Sequence, residues 1–287
     1  MTENGWSRPV DMIRDIREQI GRVIVGKTDT VDLLLACLLA GGHALLEDVP
    51  GTGKTLLAKA LARTISGTFR RIQFTPDLLP SDLSGIYFYN QKKSDFEFRP
   101  GPVFTNVLLA DEINRATPRT QSSLLECMEE RQVTIDGVTH RLEQPFLVLA
   151  TQNPVEQHGT FPLPEAQLDR FLMRLSMGYP SFEEGVGILK RFRAESPLGE
   201  VVPVASAAEV ADAQRLAADV RVSDDLLGYI VRIAEASRRH PDVALGVSRA
   251  AARRCCAQRR HTPSSKGGRI SFLTISNVSL RLCSATV

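Results

Sequence analysis

The chain has 287 residues, 43% of them apolar and 24% charged, with a formal net charge of +2. Such a length suits about two domains of roughly 150 residues each, and the composition excludes both bulk disorder and a disulfide-stapled miniprotein. The longest apolar run, Leu33 to Leu46, is broken by Gly41, Gly42 and His43 and falls short of the ~20 residues of a membrane span, so no membrane insertion is expected. No secretion signal is visible at Met1-Thr2-Glu3-Asn4, and the five cysteines show no CxxC or framework spacing, which points to a cytoplasmic protein with reduced thiols.

Apolar positions recur at helical spacing from Pro9 to Ile20 and again from Asp29 to Leu39, where Gly41-Gly42 stops them. His43 to Glu47 reads as a short strand, followed by the glycine-rich turn DVPGTGKT (48–55) and a helical stretch from Leu56 to Ile65. Further strands are expected at Arg71 to Thr75, Val107 to Ala110, Phe146 to Thr151 and Leu172 to Met177, with helical segments between them. Strands alternating with helices imply an α/β fold with a parallel five-stranded sheet covered on both faces. Two segments alternate with period two around turns and read as β-hairpins, Ile86 to Phe98 and Gln132 to Leu142, the second turning at Asp136-Gly137. Beyond Tyr179-Pro180 the strand signals fade, and Phe182 to Arg193, Ala207 to Leu216 and Asp224 to Arg239 look helical. The expected division is a sheet-containing domain over 1–180, a smaller helical domain over 181–248 and a basic tail over 249–287.

The strongest chemical signal is the turn between the first strand and its helix. Backbone N–H groups in such a loop converge on phosphate oxygens, and the helix dipole favours the anion. The nucleotide-binding residues expected here are Asp48, Val49, Pro50, Gly51, Thr52, Gly53, Lys54, Thr55 and Leu56, with Lys54 on the β and γ phosphates and the Thr55 hydroxyl on Mg²⁺. Asp48 departs from the pattern GxxxxGK[ST], which has glycine at that position. The second signal is Leu108-Leu109-Ala110-Asp111-Glu112, a strand ending in two carboxylates, where Asp111 can hold the metal and Glu112 can polarise an attacking water. Thr151-Gln152-Asn153-Pro154 ends another strand, and the Asn153 amide can bond a γ-phosphate or orient water. Arg170, in Leu168-Asp169-Arg170-Phe171, offers a planar fork suited to a neighbouring subunit's transferring phosphoryl group; Arg115 and Arg174 compete for that role.

In this order the motifs resemble the MoxR-type AAA+ ATPases, and the resemblance runs from about Ile13 to Gly246. It rests on long strings: RIQFTPDLLPSDLSG (71–85), FEFRPGPVFTNVLLADEINRATPRTQSSLLECMEERQVTIDG (96–137) and VLATQNPVEQHGTFPLPEAQLDRF (148–171). The resemblance implies a P-loop core of the ASCE type with a hairpin inserted in its second helix (85–100), a pre-sensor hairpin (132–142) and a helical lid. It also implies Walker A roles for Lys54 and Thr55, Walker B roles for Asp111 and Glu112, sensor 1 for Asn153 and an arginine finger at Arg170. The implied activity is Mg²⁺-dependent ATP hydrolysis in a homo-oligomeric ring, taken as a hexamer. Such a ring drives chaperone-like remodelling or metal-cofactor maturation of a client complex, alongside a von Willebrand factor A-domain protein.

The lid is where the sequence departs. Relatives carry a sensor 2 arginine in G-x-S-P-R, whereas Gly246-Val247-Ser248 runs directly into Arg249, and the resemblance then stops. Residues 243–287 hold eight Lys or Arg and no acid, leaving 27 bases against 33 acids in the rest. A basic arm for nucleic acid would fit the charge, but a single Phe272 is too little aromatic interleaving for stacking on bases, and the pre-sensor hairpin presents an acid at its tip. A nucleic-acid-dependent motor and a catalytically weak nucleotide-dependent scaffold are therefore secondary readings. A single lost nucleotide near codon 249 would account for the missing proline and the vanished acids together, since residues 273–287 read one frame over can encode a segment like the family's own ending; a native basic tail is the alternative.

Overall fold

In the computed structural model, residues 7–49, 51–153, 159–191, 197–219 and 223–239 are described. In chain order they form α1 (Ser7–Val23), α2 (Thr28–Leu39), β1 (Ala44–Glu47), α3 (Lys54–Thr64), β2 (Phe69–Gln73), α4 (Pro80–Ser84), β3 (Gly85–Asn90), β4 (Asp95–Pro100) and β5 (Val107–Asp111). A short 3-10 turn at Ile113–Arg115 leads to α5 (Pro118–Glu130), β6 (Gln132–Ile135), β7 (Val138–Arg141), β8 (Leu147–Gln152), α6 (Glu165–Leu168) and β9 (Met173–Leu175). Three helices close the described chain: α7 (Phe182–Arg191), α8 (Ala207–Ala218) and α9 (Asp224–Arg239).

Five strands pair in parallel in the order β2-β5-β8-β1-β9, and β3-β4 and β6-β7 form two separate antiparallel hairpins. The α/β sheet and both hairpins expected from the alternation are thus present. A parallel strand buried on both faces has to be apolar along its whole length. Alternate residues accordingly feed two cores: Leu46, Leu109 and Leu149 pack with α1, α2 and α3, while Leu45, Leu108 and Val148 pack with α5 and Phe74.

β2 begins two residues earlier than expected, at Phe69 instead of Arg71. Pairing is nucleated there by Asn106, whose side-chain carbonyl accepts from Thr68 N–H (3.0 Å) and Thr68 Oγ1 (3.1 Å). It stops before Pro76, which holds Thr75 out of a ladder it cannot continue. Helix α1 runs three residues beyond Ile20 because Val23 is also buried in the core.

Among the described residues only helical elements follow β9, and α8 with the segment before it packs on the helices that cover the sheet. Val201, Ala205, Val210 and Ala213 lie in the same core cluster as α1, α2 and α3. Gln214 Nε2 donates to the Leu38 carbonyl at 2.6 Å, and Val204 N–H and Ala205 N–H both reach the Thr64 carbonyl. The expected basic tail over 249–287, with Arg249 and its possible sensor 2 role, lies outside the described residues, as do Pro50 and Pro154. Among the described residues no helix is long and apolar enough to cross a membrane, and Cys37 and Cys127 are buried free thiols.

His43 locks the sheet to α5. Its Nδ1 accepts from Val148 N–H and its Nε2 donates to the Met128 carbonyl, both at 3.0 Å. Only the neutral ring can do both, and burial pushes its pKa down to about 4. Between that value and about 6.5 the unfolded chain binds a proton that the folded chain refuses. The contribution is therefore complete above pH 6.5 and is lost as the pH falls towards 4, an effect of about 3 kcal/mol. Denaturant titrations across this window should show stability falling with acid, with a smaller slope in His43→Gln, which cannot titrate.

Candidate functional site

The carboxyl ends of β1, β8 and β5 open at one edge of the sheet, because their parallel registers set Glu47 beside Gln152 and Ala110 beside Ala150. That edge gathers the phosphate loop after β1, the carboxylate pair after β5 and Asn153 after β8. In open α/β sheets, ligands bind at such carboxyl edges. The loop turns through Gly51 and Gly53, at φ 86° and 90°, a left-handed region where a side chain would be strained. Gly53 then caps α3, so the helix begins at Lys54 with its first N–H groups directed at the loop. Thr55 and the half-buried Leu56 follow in that first turn, and Leu56 packs against the core.

Lys54 is held by the loop itself. Its Nζ donates to the carbonyls of Asp48 at 3.0 Å and Val49 at 2.8 Å, and Thr52 Oγ1 donates to the Val49 carbonyl at 3.4 Å. A phosphate offers the same ammonium a charged acceptor, which roughly doubles the strength of a neutral hydrogen bond. The Asp48 carboxylate, expected among the nucleotide-binding groups, faces elsewhere: it is buried and takes donors from Ser176, Met177 and Gly178. Only the backbone of Asp48 is left for the loop.

Asp111 and Glu112 are brought to the same side by the chain's turn. Glu112 adopts φ 56°, ψ 51°, a left-handed conformation that costs a non-glycine residue of order 1–3 kcal/mol. Thr151 compensates, since its Oγ1 accepts from Glu112 N–H at 2.9 Å and donates to Asp111 Oδ1 at 2.5 Å. Neighbouring β2 supplies the remaining partners. Arg71 donates to Asp111 Oδ2 from Nε (3.1 Å) and Nη2 (2.6 Å), and Gln73 Nε2 donates to Glu112 Oε2 at 2.7 Å. Arg115 pairs with the same Glu112 oxygen at 3.1 Å.

Arg71, Gln73 and Thr151 were not singled out from the sequence. The signal was a polar pair two residues apart on β2, but its target depends on β2 lying next to β5. Asn153 is buried at the end of β8, between the phosphate loop and the carboxylate pair.

Arg170 is not part of this constellation. It lies just before Leu172, whose N–H bonds the His43 carbonyl at the amino end of β1, and its guanidinium pairs with Glu129 and the Leu125 carbonyl of α5. Five residues of strand at about 3.3 Å each separate that level from Asp48, a gap of about 16 Å. Of the competing arginines, Arg115 sits on Glu112, and Arg174 pairs with Glu47 at the end of β1.

Mg²⁺ suits the donor set. Thr55 offers a hydroxyl and Asp111 a carboxylate, both hard oxygen ligands, and Mg²⁺ at phosphates usually takes only one or two protein ligands. Among the described residues no group of three His, Cys, Asp or Glu could hold a metal by itself.

The two hairpins meet each other, and Phe98 also packs on Phe104 just ahead of β5. The His140 ring stacks on Phe98 at 4.2 Å between centroids, and its Nε2 lies 3.1 Å from Tyr87 Oη. Farther out on β3 and β4, Tyr89 and Phe96 pack edge to face and remain exposed.

A parallel sheet in this strand order, a glycine loop carrying Lys54 after β1 and a carboxylate pair after β5, with β8 between the two strands, define a P-loop ATPase. The family model of the ATPases associated with various cellular activities (AAA) matches residues 43–173. The chain is 56% identical over 231 residues to the uncharacterized protein YeaC of Bacillus subtilis, covering 80% of this chain and 72% of that one. It is 47% identical over 221 residues to Chaperone MoxR1 of Mycobacterium tuberculosis, covering 77% of this chain and 58% of the relative. A crystal structure from Cytophaga hutchinsonii, described only provisionally as an ATPase, superposes with a TM-score of 0.80 at 43% identity, covering 86% of this chain and 78% of that one. The chain belongs to the MoxR family of AAA+ ATPases.

Thr151→Val keeps the shape of the side chain and removes both hydrogen bonds. The variant should lose roughly 1–3 kcal/mol of stability, from the unsatisfied Glu112 N–H. Its ATP turnover should fall about 10²-fold as the carboxylate drifts from its position, with nucleotide affinity little changed. Thr151→Ser should restore most of both, as read by thermal unfolding and steady-state ATPase assays.

Proposed function

We propose that this chain binds ATP with Mg²⁺ in sites shared between neighbouring copies of a homo-oligomeric ring, taken as a hexamer. The observation that carries the reading is the separation of Arg170 from its own chain's phosphate loop: it is exposed at the level of the amino end of β1, where it pairs with Glu129. In this reading Lys54 and the loop amides hold the phosphates, Asn153 bonds the γ-phosphate or its attacking water, and Glu112 draws a proton from that water. Thr55 and Asp111 would hold Mg²⁺, which neutralises charge on the phosphates. Arg170 of the next copy supplies the remaining positive charge to the transferring group.

The work done by hydrolysis is proposed to be chaperone-like remodelling or metal-cofactor maturation of a client protein complex in the cytoplasm, with a von Willebrand factor A-domain protein as partner. The chaperone part is supported by the name of the Mycobacterium tuberculosis relative. The exposed aromatic pair Tyr89 and Phe96 on the inserted hairpin offers a surface suited to polypeptide. A nucleic-acid motor has less support, because the pre-sensor hairpin turns on Asp136 and Lys93 of the inserted hairpin is paired with Glu97.

Complementation tests the shared site. Lys54→Ala should weaken nucleotide binding, Glu112→Gln should hold ATP without turning it over, and Arg170→Ala should lower turnover by about 10³-fold or more. Mixing Arg170→Ala with Glu112→Gln chains rebuilds some interfaces with both groups intact, so activity should exceed the sum of the separate rates. Mixtures that never exceed that sum, at concentrations where the chains assemble, would show that Arg170 does not act on a neighbour.

A further inference from the structure

Asp48 grips two parts of the molecule at once. Its carboxylate takes three donors from the segment after β9: Ser176 Oγ at 2.8 Å and Gly178 N–H at 3.0 Å on Oδ1, and Met177 N–H at 2.6 Å on Oδ2. Its backbone carbonyl meanwhile accepts from Lys54 Nζ at 3.0 Å. We infer that Asp48 is a positioning residue that couples occupancy of the phosphate loop to segment 176–179, and through that segment to α7.

The physical reason lies in what a phosphate must displace. Lys54 donates to the carbonyls of Asp48 and Val49, and to reach a phosphate it has to give up part of that pairing. The residue whose backbone then loses a charged partner is the same residue whose side chain holds the segment. A glycine at this position, as in the general loop pattern, has no such second end. Gly178 sits at φ 59°, and nothing lies within 4 Å of where its Cβ would stand, so the backbone turn and not crowding is what favours glycine there.

Beyond Asp48 the segment is tied on its far side. The Ser176 carbonyl accepts from Thr30 Oγ1 at 3.2 Å, and the Tyr179 carbonyl accepts from Lys27 Nζ at 3.1 Å. Lys27 also pairs with Glu184 of α7 at 3.4 Å, and Arg191 at the end of α7 donates to the Arg22 carbonyl at 2.7 Å. A shift at Asp48 therefore meets a continuous set of hydrogen bonds leading to α7 and the end of α1, and is not lost to solvent. That is the arrangement needed for nucleotide state to be felt by the helices that follow the sheet.

The inference rests on the ATPase reading and not on any client. The test is hydrogen exchange over residues 176–191 of the purified full chain, with and without Mg-ATPγS, together with Kd, KM and kcat. In the unaltered chain the nucleotude should change exchange in this segment by about tenfold. Asp48→Gly, which restores the general loop pattern, should bind ATPγS within about threefold of the unaltered chain, lose the response over 176–191 and turn over about tenfold more slowly. Asp48→Asn, which keeps one acceptor oxygen, should recover part of the response.

An undiminished response in Asp48→Gly would overturn the coupling, and so would loss of nucleotide binding in both variants, because the carboxylate would then be serving the loop alone. If Asp48→Gly does not fold, Asp48→Asn and Ser176→Ala decide the matter: a weakened response in each supports the coupling, and an unchanged response in both overturns it. An unaltered chain that binds no ATPγS would overturn the ATPase reading and this inference with it, whereas binding without a response over 176–191 overturns this inference alone.

Discussion

The parallel pairing of β1 with β8 and of β8 with β5 is the constraint on which the site depends. Parallel neighbours end at the same edge, so a loop after β1, an amide after β8 and two carboxylates after β5 converge without being near one another in sequence. The strands achieve this only because they are covered on both faces, by α1–α3 on one side and α5 on the other. His43 reinforces the arrangement from the opposite end of the sheet, joining the β8 backbone to the last turn of α5. The same geometry sets Arg170 at the level of the amino end of β1, about 16 Å of strand below the phosphate loop.

At the functional edge the charges are already paired. Lys54 lies on loop carbonyls, Asp111 lies on Arg71, and Glu112 lies between Gln73 and Arg115 in a left-handed conformation. Each pairing keeps a charge satisfied, yet each can be exchanged for an interaction with phosphate, metal or water, because the incoming partner replaces a charge-assisted bond worth about 1.5–3 kcal/mol net with one of similar strength. Asp48 differs, because its carboxylate is buried and takes all three donors from the one segment 176–178. It is better suited to transmit a change in the loop than to make contact with the nucleotide.

What could be read from the sequence was what depends on neighbours along the chain. The glycine loop and Lys54, the apolar strand ending in Asp111-Glu112, and both hairpins carry their signals locally. The longest unnamed helix, α5, was hidden because its buried residues, such as Thr120 and Gln121, are partly polar; Gln121 donates to three backbone carbonyls inside the core. The partners of the carboxylates could not be read at all. Arg71 meets Asp111, and Thr151 meets Glu112, only through the strand order β2-β5-β8, which no local pattern encodes. The partners of the Asp48 carboxylate are hidden for the same reason, since they lie 128 to 130 residues away.

The central claim is that catalysis needs the edge of one chain and an arginine from another. It is tested most directly by the specific ATPase rate of the unaltered chain as a function of its concentration, with oligomeric state measured in parallel by light scattering. The account predicts a rate per chain that rises as assemblies form and then levels off. A rate per chain that stays constant down to concentrations where only monomer remains would contradict it.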